Sequence, residues 1–136
     1  MNTHRGHCRC GAVVALVQGE PDHSVFCHCD DCRRSAGAPL IAAIGVKREH
    51  IRWEADEAVS RYINRTCTRS FCSICGSSVA QEHDSAPDYV FFNTAFMDEP
   101  ELFPPTYHSF AGQQFNWMQL SDDLPRYEKT KFINTD

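Results

Sequence analysis

Apolar residues along this chain come in short runs, each broken within a few positions by glycine, proline or paired polar residues. Ala12 to Val17 (AVVALV) is continuous and is closed by Gly19 and Pro21. Pro39 to Val46 (PLIAAIGV) is a second run and Ile51-Arg52-Trp53 a short third. Val59 to Ile63 (VSRYI) alternates between apolar and polar, as does Thr68-Arg69-Ser70-Phe71; Ser77 to Glu82 and Tyr89 to Phe96 (YVFFNTAF) complete the set. β-branched and aromatic residues in runs of this length, bounded by turn formers, predict strands. No segment sustains the 3.6-residue apolar period of an amphipathic helix. Helix is therefore expected only as brief turns, at Asp30 to Ser35 and at Glu99 to Phe103. The pattern predicts a mostly β, antiparallel fold with short helical turns and with cysteines at its turns. No repeat, low-complexity run or linker divides the chain, so residues 1–136 read as a single domain.

Charge narrows the function classes. Thirteen basic residues against eighteen acidic ones give a net charge of −5, whereas sequence-independent nucleic-acid binding needs a basic surface. No run approaches the roughly 20 apolar residues of a membrane-spanning helix, so no membrane partner is expected. The opening MNTHRGHCRCG is polar and lacks the apolar centre of a secretory signal. The expected compartment is the cytoplasm, where thiols stay reduced. Eight cysteines in such a setting read as metal ligands or reactive thiols before they read as disulfides.

Those cysteines fall into groups: Cys8 and Cys10 (C-R-C-G), Cys27, Cys29 and Cys32 (C-H-C-D-D-C), and Cys72 and Cys75 (C-S-I-C-G), with Cys67 apart. C-x-x-C-G is the usual zinc knuckle and C-x-C-G a shorter relative; two such halves make a closed tetrahedral site of four thiolates. Cys8, Cys10, Cys72 and Cys75 are the natural set, each half ending in glycine (Gly11, Gly76). The competing redox-dithiol reading of C-x-x-C wants a βαβ context that this chain lacks. The middle trio differs: three ligands from six residues leave a fourth position open, as in a catalytic zinc site. Cys67 or His28 could instead close it as a second structural site, or one of the three could be an inert buried thiol. By alternation His28 points away from Cys27 and Cys29, to the surface or behind the ligands. Arg33 and Arg34 follow directly; an arginine beside several thiolates offsets charge and can grip a substrate carboxylate with two parallel bonds. Phe26 and Phe91 are candidates to shape a pocket, or simply core.

The order C-x-C-G, C-H-C-x-x-C-R-x-x-x-G, F-C-x-x-C-G-S resembles the glutathione-dependent formaldehyde-activating enzyme family, which includes centromere protein V. His108, Trp117 and the closing D-D-L-P-R-Y (Asp122 to Tyr127) look like its C-terminal signature, so the resemblance runs from Gly6 to about Tyr127 (domain about 6–127), followed by a short tail. It implies a zinc-stapled β-tent fold and two zinc ions: a structural one on Cys8, Cys10, Cys72 and Cys75, and a second on Cys27, Cys29 and Cys32. It also implies a carbon–sulfur lyase of the S-hydroxymethylglutathione synthase type, with a small thiol such as glutathione and an aldehyde as partners. Cys67 has no counterpart in the three motifs; if it reaches the second zinc, the open position disappears. Two rival readings stand beside the lyase. One is a non-catalytic zinc module for a protein or nucleic-acid partner, which the acidic balance disfavours. The other is a methionine-sulfoxide reductase with Cys67 as its reactive thiol.

Overall fold

The computed structural model describes residues 1–130. Its ten strands are β1 (Thr3–His7), β2 (Val14–Gln18), β3 (His23–Cys27), β4 (Ile41–Lys47), β5 (Ile51–Ala55), β6 (Val59–Asn64), β7 (Cys67–Cys72), β8 (Ser78–His83), β9 (Tyr89–Asn93) and β10 (Tyr107–Ser109). A single α-helix, α1 (Asp30–Ala36), and four short 3₁₀ turns complete the described chain. The strands form two sheets, one of order β1-β2-β5 and one of order β10-β3-β4-β9-β8-β7-β6. All named pairings are antiparallel except β10 with β3. The mostly β, antiparallel expectation holds.

Each predicted run became a strand with boundaries moved by one or two residues, except the last. Tyr89 to Phe96 breaks after Asn93, and Thr94–Phe96 turn as a 3₁₀ helix. That turn lays Phe96 flat against Phe92, with ring centroids 5.5 Å apart. Both helical expectations appear, the second only as a 3₁₀ turn at Pro100–Leu102. Three strands were not expected. β1 (THRGH) is polar and buries only Gly6, whose hydrogen lies where a Cβ would meet the Phe96 ring at 2.6 Å. β3 and β10 are five and three residues long. Strands this short draw their existence from a partner rather than from their own pattern.

Two cores follow from the two sheets. The larger packs Val13, Ala15 and Val17 against Ile44, Val46, Val79, Val90 and Phe92. It joins the three-stranded sheet to the seven-stranded one. The smaller gathers Val25, Ile41, Ala43, Phe91 and Tyr107 around Cys32. The first core lies against the knuckles of Cys8 and Cys72, and the second against the cysteine trio.

Candidate metal centres

The two knuckles are built alike. The Cys8 N–H donates to Val13 O (3.0 Å) and the Cys72 N–H to Ser77 O (2.9 Å), so each closes a turn of the same length. Gly11 and Gly76 follow at φ +83° and +77°, the left-handed region that favours glycine. In the same turns the Val13 N–H points at Cys8 Sγ (3.2 Å) and the Cys75 N–H at Cys72 Sγ (3.5 Å). The four sulfurs of Cys8, Cys10, Cys72 and Cys75 all lie within 4.8 Å of one another. Cys8 to Cys10 is 3.6 Å and Cys10 to Cys72 is 3.8 Å.

A tetrahedral ion bonded to sulfur at about 2.3 Å sets its sulfurs about 3.8 Å apart, so this set fits a zinc ion. All eight cysteines are free thiols, and a disulfide would need a spacing near 2 Å. The Ser77 hydroxyl contacts Cys75 Sγ at 3.1 Å and, through that bond first, draws the thiol down to about 5.

The trio is assembled by α1. Cys29 sits in extended conformation (φ −64°, ψ 146°) as the residue before the helix, and its sulfur accepts the Cys32 N–H at 3.2 Å. It thus fills the place that serine or aspartate takes at other helix starts. Asp30 and Asp31 in the first turn and Arg33 and Arg34 in the last complement the helix dipole. The sulfurs of Cys27, Cys29 and Cys32 lie within 4.8 Å of one another, with Cys27 to Cys32 at 3.6 Å, the same tetrahedral spacing. Thiol bonds from Cys27 and Cys29, together with the Arg69 guanidinium, pull Cys32 far below the ordinary thiol range. The same bonds, seen from the other side, push Cys27 up.

A cavity of about 840 Å³ opens over this trio. Its apolar wall is Val25, Ile41, Ala43 and Phe91; its polar wall includes Arg69, Gln81, His83, Asp31 and Asp84. Cys67 also faces it, buried, with its thiol pushed up by that burial. It does not join the set of mutually close sulfurs.

The arginines sit differently from the sequence expectation. Arg34 is 80% exposed and pairs with Asp30 at 2.9 Å. Arg33 donates to the Gln113 carbonyl and lies flat on Phe115, 3.9 Å from its ring centre. Neither lines the cavity; both edge a separate cleft with Phe115 and Trp117. The arginine over the trio is Arg69, whose Nη2 donates to Asp31 Oδ2 (2.7 Å) and Cys32 Sγ (3.5 Å). Asn64 donates to the other oxygen of Asp31 at 3.1 Å, so strands β6 and β7 hold the start of α1. The sequence held a signal for this: Arg69 and Cys67 are two apart on an alternating strand and share a face.

His28 is buried rather than at the surface. It points away from the sulfurs and meets His108, Nε2 to Nδ1 at 2.8 Å. His108 in turn bonds Asp122 at 3.1 Å, and its ring stacks between Phe26 and His28. Burial first, then the His108 charge, lowers His28 to about 4. The Asp122–His108–His28 chain thus clamps the closing DDLPRY segment onto the back of the trio. Phe91 lines the cavity; Phe26 packs on His108 instead.

Comparison with known proteins completes the picture. The family model described as glutathione-dependent formaldehyde-activating enzyme matches residues 3–113. A Colletotrichum graminicola protein named as a glutathione-dependent formaldehyde-activating enzyme is 34% identical over 77 residues, covering 54% of this chain and 40% of that protein. The chain therefore matches less than half the length of that curated relative. A crystal structure of a Rhodobacter sphaeroides protein superposes with a TM-score of 0.58 at 25% identity, over 69% of this chain and 87% of that one.

Proposed function

The chain belongs to the glutathione-dependent formaldehyde-activating enzyme family, and from that premise we propose that it is a zinc-dependent carbon–sulfur lyase that makes or breaks a thiol–aldehyde adduct. In this reading Cys8, Cys10, Cys72 and Cys75 hold a structural zinc, and Cys27, Cys29 and Cys32 hold a second with one position free. One observation carries it: three sulfurs at ligand spacing face a cavity, and among the described residues no fourth sulfur, Cys67 included, joins that mutually close set.

A zinc ion on the trio supplies a position at which a thiol loses its proton near neutral pH. The remaining work belongs to the chain. Arg69, bonded to Cys32 Sγ, withdraws charge from the trio and fixes α1 against β7. Val25, Ile41 and Phe91 keep water from the sulfur side of the cavity. The adduct forms as the thiolate sulfur bonds the aldehyde carbon; the carbonyl π pair moves to oxygen, which takes up one proton. The reverse reaction returns both partners. No redox change occurs, and positioning two small reactants accounts for the rate. Three thiolates around a dication leave the centre net negative, which favours activating a thiol over polarising a carbonyl.

The decisive experiment is exchange NMR of a thiol with formaldehyde, with and without zinc-loaded protein. The proposal expects faster exchange with the wild type and background exchange with Cys27→Ser/Cys29→Ser. Equal rates with and without ample protein, across several small thiols, would refute the lyase. A chain that then held two tightly bound zinc ions would read as a non-catalytic module. The compartment stays an expectation; among the described residues no helix is long and apolar enough to cross a membrane.

A further inference from the structure

We propose that His83 is a catalytic residue of this site: its imidazole takes the proton that the thiol gives up and returns it to the oxygen of the adduct. This rests on the lyase reading and deepens it. In that reaction a proton leaves sulfur and a proton arrives at oxygen, and one side chain on the cavity wall is suited to carry it.

Strand register puts His83 in place. In the β7–β8 pair, Cys67 stands opposite His83 and Arg69 opposite Gln81. Residues directly opposed on antiparallel strands share a face, as do residues two apart on one strand. All four therefore look to one side, and all four line the cavity over the trio. Glu82, between Gln81 and His83, turns the other way and pairs with Arg48 at 2.6 Å. Arg69 ties this face to the sulfurs, since its guanidinium bonds Cys32 Sγ at 3.5 Å. His83 is one cross-strand pair further along the same wall. There the Phe91 ring, itself part of the cavity lining, meets its imidazole edge to face, with centroids 5.9 Å apart.

Chemistry selects His83 among its neighbours. A proton carrier must bind and release a proton near neutral pH, and among the described residues lining the cavity His83 is the only imidazole. Arg69 keeps its proton and is engaged with Asp31 and Cys32. Asp31 accepts from Arg69 and from Asn64. Burial pushes the Cys67 thiol up, and Gln81 does not titrate. Burial, ahead of the opposing pull of Cys32, lowers His83 below the ordinary imidazole value, so the neutral ring has one nitrogen ready to accept. The thiol S–H bond breaks as that nitrogen takes the proton. The sulfur pair then bonds the aldehyde carbon, and the carbonyl π pair moves to oxygen. The imidazolium N–H bond breaks in turn and the oxygen takes the proton. The imidazole ends as it began, nothing is oxidised or reduced, and cleavage runs the same steps backwards.

Two measurements on zinc-loaded protein test this. The first needs no turnover. The S-hydroxyethyl thioether of glutathione is a stable alcohol resembling the adduct, and it is titrated in while the imidazole nitrogen NMR signals are followed. The signal missing from His83→Gln belongs to His83; it should shift and saturate, and a signal that stays still through the titration overturns the inference. The second is exchange of glutathione with formaldehyde. His83→Gln should keep its zinc and its melting temperature, hold KM for the thiol within about threefold and lose about a hundredfold in kcat. His83→Ala should regain activity on adding imidazole, beyond the imidazole background measured without protein. His83→Gln with the wild-type kcat overturns the inference and leaves the lyase reading intact. So does a His83→Gln protein that has lost zinc or its cooperative melt, because the residue is then structural. A wild type that accelerates exchange for no thiol overturns the lyase reading and the inference with it.

Discussion

Removing the four-sulfur centre should loosen the whole fold, whereas removing the trio should not. Cys10→Ser/Cys75→Ser deletes one sulfur from each knuckle at the two positions that are least buried, so little packing is lost with the ligands. What disappears is a cross-link between positions 62 residues apart. In the chain-entropy account, a link closing a loop of that length is worth roughly 4 kcal/mol. Against a net stability of about 5–15 kcal/mol for a domain, that is a large fraction. At about 4 °C per kcal/mol for a chain of this size, the melting temperature should fall by about 15 °C. The matched variant Cys27→Ser/Cys29→Ser opens a link across five residues, worth roughly 2 kcal/mol by the same account. Serine at position 29 still caps α1, so its drop should be less than half as large. Thermal melts by circular dichroism, with zinc measured on the same samples, decide the matter. A Cys10→Ser/Cys75→Ser protein melting within a few degrees of the wild type would falsify the staple, and so would equal drops in both variants.

Three further outcomes follow from the same geometry. Cys67→Ser should leave the zinc content at two per chain, because Cys67 faces the cavity without joining the trio; a fall to one zinc would mean that the fourth position is closed. Arg69→Met should keep both zinc ions yet lower kcat/KM for a thiol about tenfold, since hydrogen bonds to charged partners are worth about 1.5–3 kcal/mol and Asp31 is half-exposed. Arg69→Lys should recover part of that loss, and an Arg69→Met protein with unchanged kinetics would remove Arg69 from the site's electrostatics. Below neutral pH, His28 should cost stability. Its folded value of about 4 lies under the ordinary 6.5, so between those values the unfolded chain binds a proton that the folded chain does not. Stability from this group is present above pH 6.5 and is lost as pH falls toward 4, by about 2 kcal/mol between pH 7 and pH 5. Urea unfolding at those two pH values, compared with His28→Asn, isolates the effect; an identical pH slope in the variant would mean that His28 titrates normally in the fold.

Legibility in the sequence followed the range of the interactions involved. Val14–Gln18, Ile41–Lys47 and Tyr89–Asn93 were visible because their own side chains fill the core. The ligand spacing of Cys8, Cys10, Cys72 and Cys75 was visible because a knuckle is a local turn. β10 was not, since Tyr107, His108 and Ser109 are buried by lying between β3 and the distant 122–130 segment. The same limit hid Arg69, which meets Cys32 from 37 residues away. Arg33 and Arg34 were attractive as neighbours in sequence, but a helix turns consecutive residues to different faces, and here both leave the trio's cavity. His28 was correctly aimed away from the sulfurs; that it would be buried depended on His108 and Asp122, 80 and more residues on.

The same local chemistry yields a cluster of four sulfurs and a cluster of three, and the fold makes the difference. Cys29-x-x-Cys32 and Cys72-x-x-Cys75 share one device, the N–H of the second cysteine aimed at the sulfur of the first, at 3.2 and 3.5 Å. After Cys75, Gly76 turns the chain back into a hairpin, and the Cys8–Cys10 knuckle arrives opposite because β1 and β2 are packed there by the larger core. Two halves meet, and four sulfurs close around one point. After Cys32 the chain continues as helix, and what stands opposite is β7 with Arg69 and Cys67, followed by open cavity. β3 lends Cys27 as a third sulfur, and among the described residues no second knuckle lends a fourth. The difference is thus a property of strand order: with β7 rather than a second knuckle across from α1, three sulfurs stand together and a cavity opens beside them.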